Sequence, residues 1–238
     1  MRIRLPLGRT LFLAAAFLFA LVALLPLRLV LGGIGFDERG LTARAATGSV
    51  WRGALQEAQI GPVALGDVKA RLNLLPLLLG RARLSLAGAD PATPFEGAAS
   101  LSRHSFGFED VTGRFRLGAL SSPVPLTSLD FQDVSAGFAS GRCTRAEGRV
   151  RAAVAGEVAG IGLASGLSGN PRCADDALLL PLASQSGMEQ LNIRLFADGR
   201  YRLDLFVRSA DEAIRARLLA AGLRPVGRGF GMRVDGRF

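Results

Sequence analysis

Proton transfer near neutral pH is the work of histidine, and this chain has one, His104. Ser102 and Ser105 flank it. A Ser-His-Asp relay needs its nucleophile and base brought face to face from separate segments, which neighbours on one extended stretch do not achieve. The nearest approach to a nucleophile elbow is Gly166-Leu167-Ser168-Gly169, and its spacing is wrong. Two adjacent acid pairs, Glu109-Asp110 and Asp175-Asp176, are the other candidates. Glycoside cleavage needs carboxylates opposed across a cleft, and no calcium-loop pattern surrounds either pair. Both read as turn or solvated residues. Phosphate-loop, zinc-protease and clustered Cys/His patterns are also absent from the sequence. The expectation is a protein with no catalytic residues, no cofactor and no metal site, and hence no enzyme.

Cys143 and Cys173, the only cysteines, lie too far apart for a metal motif. They are either a disulfide or two unrelated thiols, and the compartment decides between these. The N-terminus bears on that choice. Arg2, Arg4 and Arg9 precede a charge-free run from Thr10 to Leu27, and Leu29-Val30-Leu31 continues it beyond Arg28. Such a run is long enough, at about 1.5 Å per residue, to cross a hydrocarbon layer about 30 Å thick. It is longer than the apolar part of a cleaved leader, and the nearest small-x-small site, Ala43-Arg44-Ala45, is far downstream. The pattern predicts a retained single-pass anchor over residues 1–32 and one folded domain over 33–238. The arginines before the run and Asp37-Glu38 after it put the N-terminus in the cytoplasm. The domain then lies outside the cytoplasm, where a Cys143–Cys173 bridge is expected, closing a loop worth about 3 kcal/mol.

The net charge of +9 comes almost wholly from arginine. The arginines are scattered between apolar residues, as in Arg81-Ala82-Arg83, with no basic block and few aromatics between them. That pattern speaks against nucleic acid and fits solvated strand faces, or a face near anionic lipid.

Past the anchor the dominant period is two, the mark of half-buried strands. Val68, Ala70, Leu72 and Leu74 alternate with polar residues, as do Ala82, Leu84 and Leu86. The piece between them, Leu75–Gly80, contains Pro76 and reads as a bend or one helical turn tucked against the sheet. Further strands are expected over Gly97–Arg103, Gly113–Leu117, Leu129–Ala136 and Gly148–Val154, with Gly156–Asn170 a small-residue strand or loop. Asp198-Gly199 joins two alternating runs as a hairpin. Ser209-x-x-Glu212 reads as a capping box opening a helix over Asp211–Ala221, with Ile214 and Leu218 on one face and Gly222 as its stop. A strand over Gly229–Phe238 ends the chain. The fold class is mainly β: an antiparallel, curved or sandwich-like sheet with one short helix near the C-terminus.

Trp51, the only tryptophan, stands in Gly48-Ser49-Val50-Trp51-Arg52-Gly53. Trp51, Arg52 and Gly53 form either a core motif between turn glycines or a recognition patch beside the membrane. This segment, the anchor, the Leu74-Leu75-Pro76-Leu77-Leu78-Leu79-Gly80 stretch, the cysteine pair and the Asp198-Gly199-Arg200-Tyr201 hairpin with its helix follow one another in an order that resembles the type II secretion system protein N family. The resemblance implies a non-catalytic accessory of the inner-membrane part of the machinery exporting folded proteins through the outer membrane. Other inner-membrane subunits and the inner membrane itself would be its partners. The same shape, one helix and then curved sheets, is also similar to AsmA-like lipid-transfer proteins, which implies lipid as the alternative partner. At 238 residues the chain makes a short groove for bridging a periplasm alone.

Overall fold

The computed structural model describes residues 7–29, 41–61, 63–117, 126–154, 157–158, 161–162, 166–209 and 211–237. Helix α1 (Leu7–Ala23) leads into strands β1 (Leu41–Thr42), β2 (Ala45–Ser49), β3 (Arg52–Ile60) and β4 (Val63–Asn73). A helical turn, α2 (Leu74–Leu78), separates β4 from β5 (Ala82–Gly88), β6 (Phe95–Leu101), β7 (Ser105–Leu117), β8 (Leu126–Ala139) and β9 (Arg142–Val154). Short strands β10 (Glu157–Val158), β11 (Ile161–Gly162), β12 (Leu167–Gly169) and β13 (Arg172–Ala174) follow. The last part comprises β14 (Ala177–Ala183), β15 (Glu189–Leu195), β16 (Arg200–Val207), α3 (Glu212–Ala220), β17 (Arg224–Val226) and β18 (Gly229–Arg237).

Among the described residues sixteen strands form one antiparallel sheet, and β10 and β11 pair apart from it. The order is nearly that of the chain, as hairpin after hairpin lays each strand beside the last. One extra pairing departs from this. Val63 and Ala64 of β4 also pair with Leu117 and Arg116 of β7, so β4 to β7 curl round until the first meets the last. Bulges supply the bend. In β7 the register against β8 shifts between Phe108 and Val111, where Asp110 has φ +53°. The buried Ser135 hydroxyl accepts the Asp110 N–H at 2.9 Å and so satisfies the donor that the bulge takes out of the ladder.

Two buried apolar clusters hold the sheet. The larger runs over β8, β9, β12, β14 to β16, α3 and β18, and includes Val150, Leu178, Leu182, Leu191, Val207 and Leu218. The smaller gathers Val50, Leu55, Ala58, Val68 and Ala70 with Leu27, just beyond α1. The cross-strand faces away from these clusters carry the arginines, and acids oppose many of them. Arg202 meets Asp235, Arg233 and Arg194 share Asp204, and Arg114 meets Asp130. The scattered basic residues are thus largely a solvated strand face, as their alternation implied.

The hairpin of β15 and β16 turns at Asp198-Gly199, with Gly199 at φ +82°. The C-terminal helix also forms, but its cap differs from the expectation. The Asp211 carboxylate, rather than Ser209, accepts the Ala213 N–H at 2.8 Å, and Ser209 instead accepts the Asp211 N–H. Either side chain can cap, and the one adjacent to the first turn does so. Leu218 is buried on the inner face and Gly222, at φ +87°, ends the helix.

Two expectations are corrected. The Leu75–Gly80 piece is a helical turn, but it projects from the sheet instead of tucking against it. Leu74, Leu75, Leu78 and Leu79 are 60–83% exposed. With only five residues and Pro76 at its centre, the turn runs off the ends of β4 and β5 and is too short to reach back across the sheet. The second correction concerns the N-terminal run. Its helix stops at Ala23, having 17 residues and a length of roughly 26 Å. No described helix is long and apolar enough to cross a membrane. Proline explains the stop, because Pro26 disfavours helical geometry at Leu25 and offers no N–H to the turn before it.

Candidate interaction site

Pro26 leaves a vacancy in the helix that another residue fills. In an unbroken helix the Val22 carbonyl would accept from the N–H of residue 26, which proline lacks. The Trp51 indole N–H donates to Val22 O at 3.0 Å, beside a longer bond from the Leu25 N–H at 3.3 Å. The Leu25 carbonyl is likewise taken up by the Val50 N–H at 3.0 Å, and Pro26 bridges to Ser49. Val50 in turn accepts the Leu72 N–H at 3.0 Å. The end of α1, the β2–β3 turn and the end of β4 are therefore tied in series at one end of the sheet.

The glycines of the segment have separate reasons. Gly48 has φ +80°, a geometry that side chains resist, at the entrance to the turn. Gly53 allows close approach, since a Cβ there would overlap Leu27 Cδ2 and lie 3.0 Å from Ser49 O. Trp51 is half-buried against the smaller cluster, and Arg52 is exposed beside it. In the structure the segment packs against the end of the apolar helix. The sequence signal available for that link was Pro26, whose missing N–H calls for an outside donor. Trp51→Phe, which keeps the ring but removes the donor, should lower stability by about 1 kcal/mol. A chemical-denaturation midpoint equal to that of the parent would show that the indole bond contributes nothing.

The cysteines are joined. Cys143 at the start of β9 bridges to Cys173 in β13, with Cα atoms 5.4 Å apart. The Cys143 N–H also donates to Asp176 O at 3.1 Å, so Asp175-Asp176 is the β13–β14 turn. Asp175 has φ +57°, which aspartate tolerates better than most residues.

The other candidates do not assemble. His104 is exposed in the β6–β7 turn, where its carbonyl accepts from Ser140 N–H and the Ser102 and Ser105 hydroxyls bond each other at 2.6 Å. Glu109-Asp110 is not a turn: it straddles the β7 bulge, and Arg83 lies 3.2 Å from Glu109 and 3.7 Å from Asp110, whose side chain stays solvated. Both acids are spent on a guanidinium and a bulge rather than aimed across a cleft. Among the described residues no group of three metal-ligating side chains comes together. The resolved charge shifts are those of ordinary surface pairing. The Arg200 N–H, then its guanidinium, holds the Asp198 carboxyl below its usual range, and the Glu147 carboxylate raises the pKa of Arg145.

Comparison with known families matches residues 39–231 to the type II secretion system protein N family. The chain belongs to that family. It is accordingly an accessory component of type II secretion, a protein-transport system of the cell envelope, and it works among that system's other components. No curated protein and no solved structure gives a match. In this family member the junction just described falls inside the matched segment on the sheet side, at Gly48–Gly53, and outside it on the helix side.

Proposed function

We propose that the chain is a non-catalytic inner-membrane scaffold of the type II secretion system, held by α1 with its sheet on the periplasmic side, which supports export of folded proteins across the outer membrane. One observation carries the membrane part of this reading. Large apolar side chains stand exposed around the whole circumference of α1: Leu11, Phe12, Leu13, Phe17, Leu18 and Phe19 are each 59–75% exposed. A helix apolar on every side and packed against nothing over most of its length belongs in lipid. At 17 residues it is at the short end of what spans a bilayer, and in the sequence Arg9 precedes the charge-free run and Arg28 follows it.

The scaffold part rests on what the sheet offers. Its last long strand, β18, is paired with the three-residue β17 only as far as Gly231. From Met232 to Arg237 its outer side carries no partner strand among the described residues. An open run of backbone donors and acceptors of this length accepts an added strand. Partner subunits of the secretion machinery are the natural donors in a protein of this family.

The test is complementation. A strain lacking the chain is expected to lose or reduce export of folded substrates, and the parent chain to restore it. His104→Ala, and Glu109→Ala with Asp110→Ala, should restore it equally well if they insert and accumulate normally. Loss of export with a stable, inserted His104→Ala protein would point to catalysis and against a scaffold.

A further inference from the structure

The exposed tip between β4 and β5 is out of keeping with a surface whose other strands alternate charge with buried apolar residues. Leu74, Leu75, Leu77, Leu78 and Leu79 are 60%, 78%, 41%, 83% and 81% exposed, on an element that no buried cluster includes. Pro76 stiffens it, so the leucines are displayed rather than free to collapse. Its position gives the reason. Leu72, two residues before the tip, donates to Val50, which donates to Leu25 at the end of α1. At about 3.3 Å per residue the tip begins about 7 Å along β4 beyond Leu72, a residue linked through Val50 to the end of the apolar helix. Four exposed cations lie around the same junction: Arg28 after the helix, Arg52 in the β2–β3 turn, and Arg71 and Arg81 on either side of the tip.

We propose that Leu74–Leu79 dips into the near leaflet of the bilayer that holds α1, with these four arginines against its anionic headgroups. This rests on the membrane reading of α1. Apolar side chains at the tip and cations just behind them form the pattern of an interfacial insertion, which reaches about 5–10 Å into the headgroup boundary. Two attachments in place of one fix orientation. The end of α1 is tied to the sheet through Val22, Leu25 and Leu27, so a helix tilting in the bilayer carries the sheet with it, whereas a second contact holds the end of the sheet at the β2–β3 turn against the membrane and sends the β3–β4 turn away from it.

The native thiols are both in the disulfide, so a single introduced cysteine is the one that labels. The full chain carrying Leu78→Cys is labelled with a polarity-sensitive fluorophore and reconstituted in phosphatidylethanolamine–phosphatidylglycerol vesicles. Gln59→Cys, at the far end of β3, serves as the comparison. The Leu78 label should emit to the blue, lose about half its intensity to spin-labelled acyl chains and resist aqueous iodide. The Gln59 label should do the opposite. A water-like Leu78 label on a protein that resists alkaline extraction would overturn the inference and leave the anchor standing. So would a label shielded only when secretion subunits are added, which would make the tip a protein contact. Release of the chain by alkali would remove the anchor and the tip contact together.

Discussion

Replacing Cys143 and Cys173 together by alanine should lower the stability of the sheet by about 3 kcal/mol, or by about 10 °C in melting temperature for a domain of this size. The bridge closes a loop of 30 residues, and that loop includes β10 to β12, the least regular part of the fold. Without the bridge the unfolded chain gains the freedom that closure removed, while the native contacts of β9 with β8 persist. Cys143 is itself part of the larger apolar cluster, so alanine is preferred to serine, which would bury a hydroxyl. The measurement is a denaturant titration of oxidised parent, reduced parent and double variant. The last two should coincide, with a lower midpoint than the first. Equal midpoints for oxidised and reduced parent would show the bridge to be energetically idle.

Leu27→Ala should be comparably costly, at about 3 kcal/mol, through the lost methyl groups and the cavity they leave. Leu27 is 2% exposed, although it lies next to a helix whose side chains are mostly bare. It enters the smaller cluster at the space that Gly53 keeps open. The effect should be local. Amide exchange should quicken in β2 to β4 and leave β14 to β16, which belong to the other cluster, near their parent values. Uniform loss of protection across both regions would mean that the two clusters unfold as one unit and that the junction has no separate stability.

The hairpins of the C-terminal third were legible because their side-chain period is unbroken. Leu191, Ile193, Leu203, Leu205 and Val207 face one way and are buried together. In the middle of the chain the period was hidden. Bulges at Asp110 and at Asp133, both at positive φ, reverse the phase within β7 and β8, so the expected Gly113–Leu117 was only one end of β7, and the expected Leu129–Ala136, which crosses the bulge, stopped short of both ends of β8. The same bulge made Glu109-Asp110 look like a turn. The hairpin of β2 and β3 was missed for a different reason. Ala45–Ser49 and Gly53–Ala58 are built of small and polar residues whose burial depends on Leu27 and Val68 packing over them. Part of the Gly156–Asn170 stretch falls outside the described residues. Of the candidate site, the disulfide followed from compartment and spacing. The docking of Trp51 on Val22 required knowing that the helix ends at Pro26 and that the two segments meet.

In the function proposed above, the sheet, held at the inner membrane, binds subunits of the secretion machinery. The most direct test is a mild-detergent pull-down of the tagged full chain from native membranes, with the anchor segment alone as control and with both proteins and lipids identified by mass spectrometry. Recovery of type II secretion subunits with the full chain, and not with the anchor alone, is the predicted result. Stoichiometric phospholipid or lipopolysaccharide precursor with none of those subunits would contradict it and make the protein a lipid carrier.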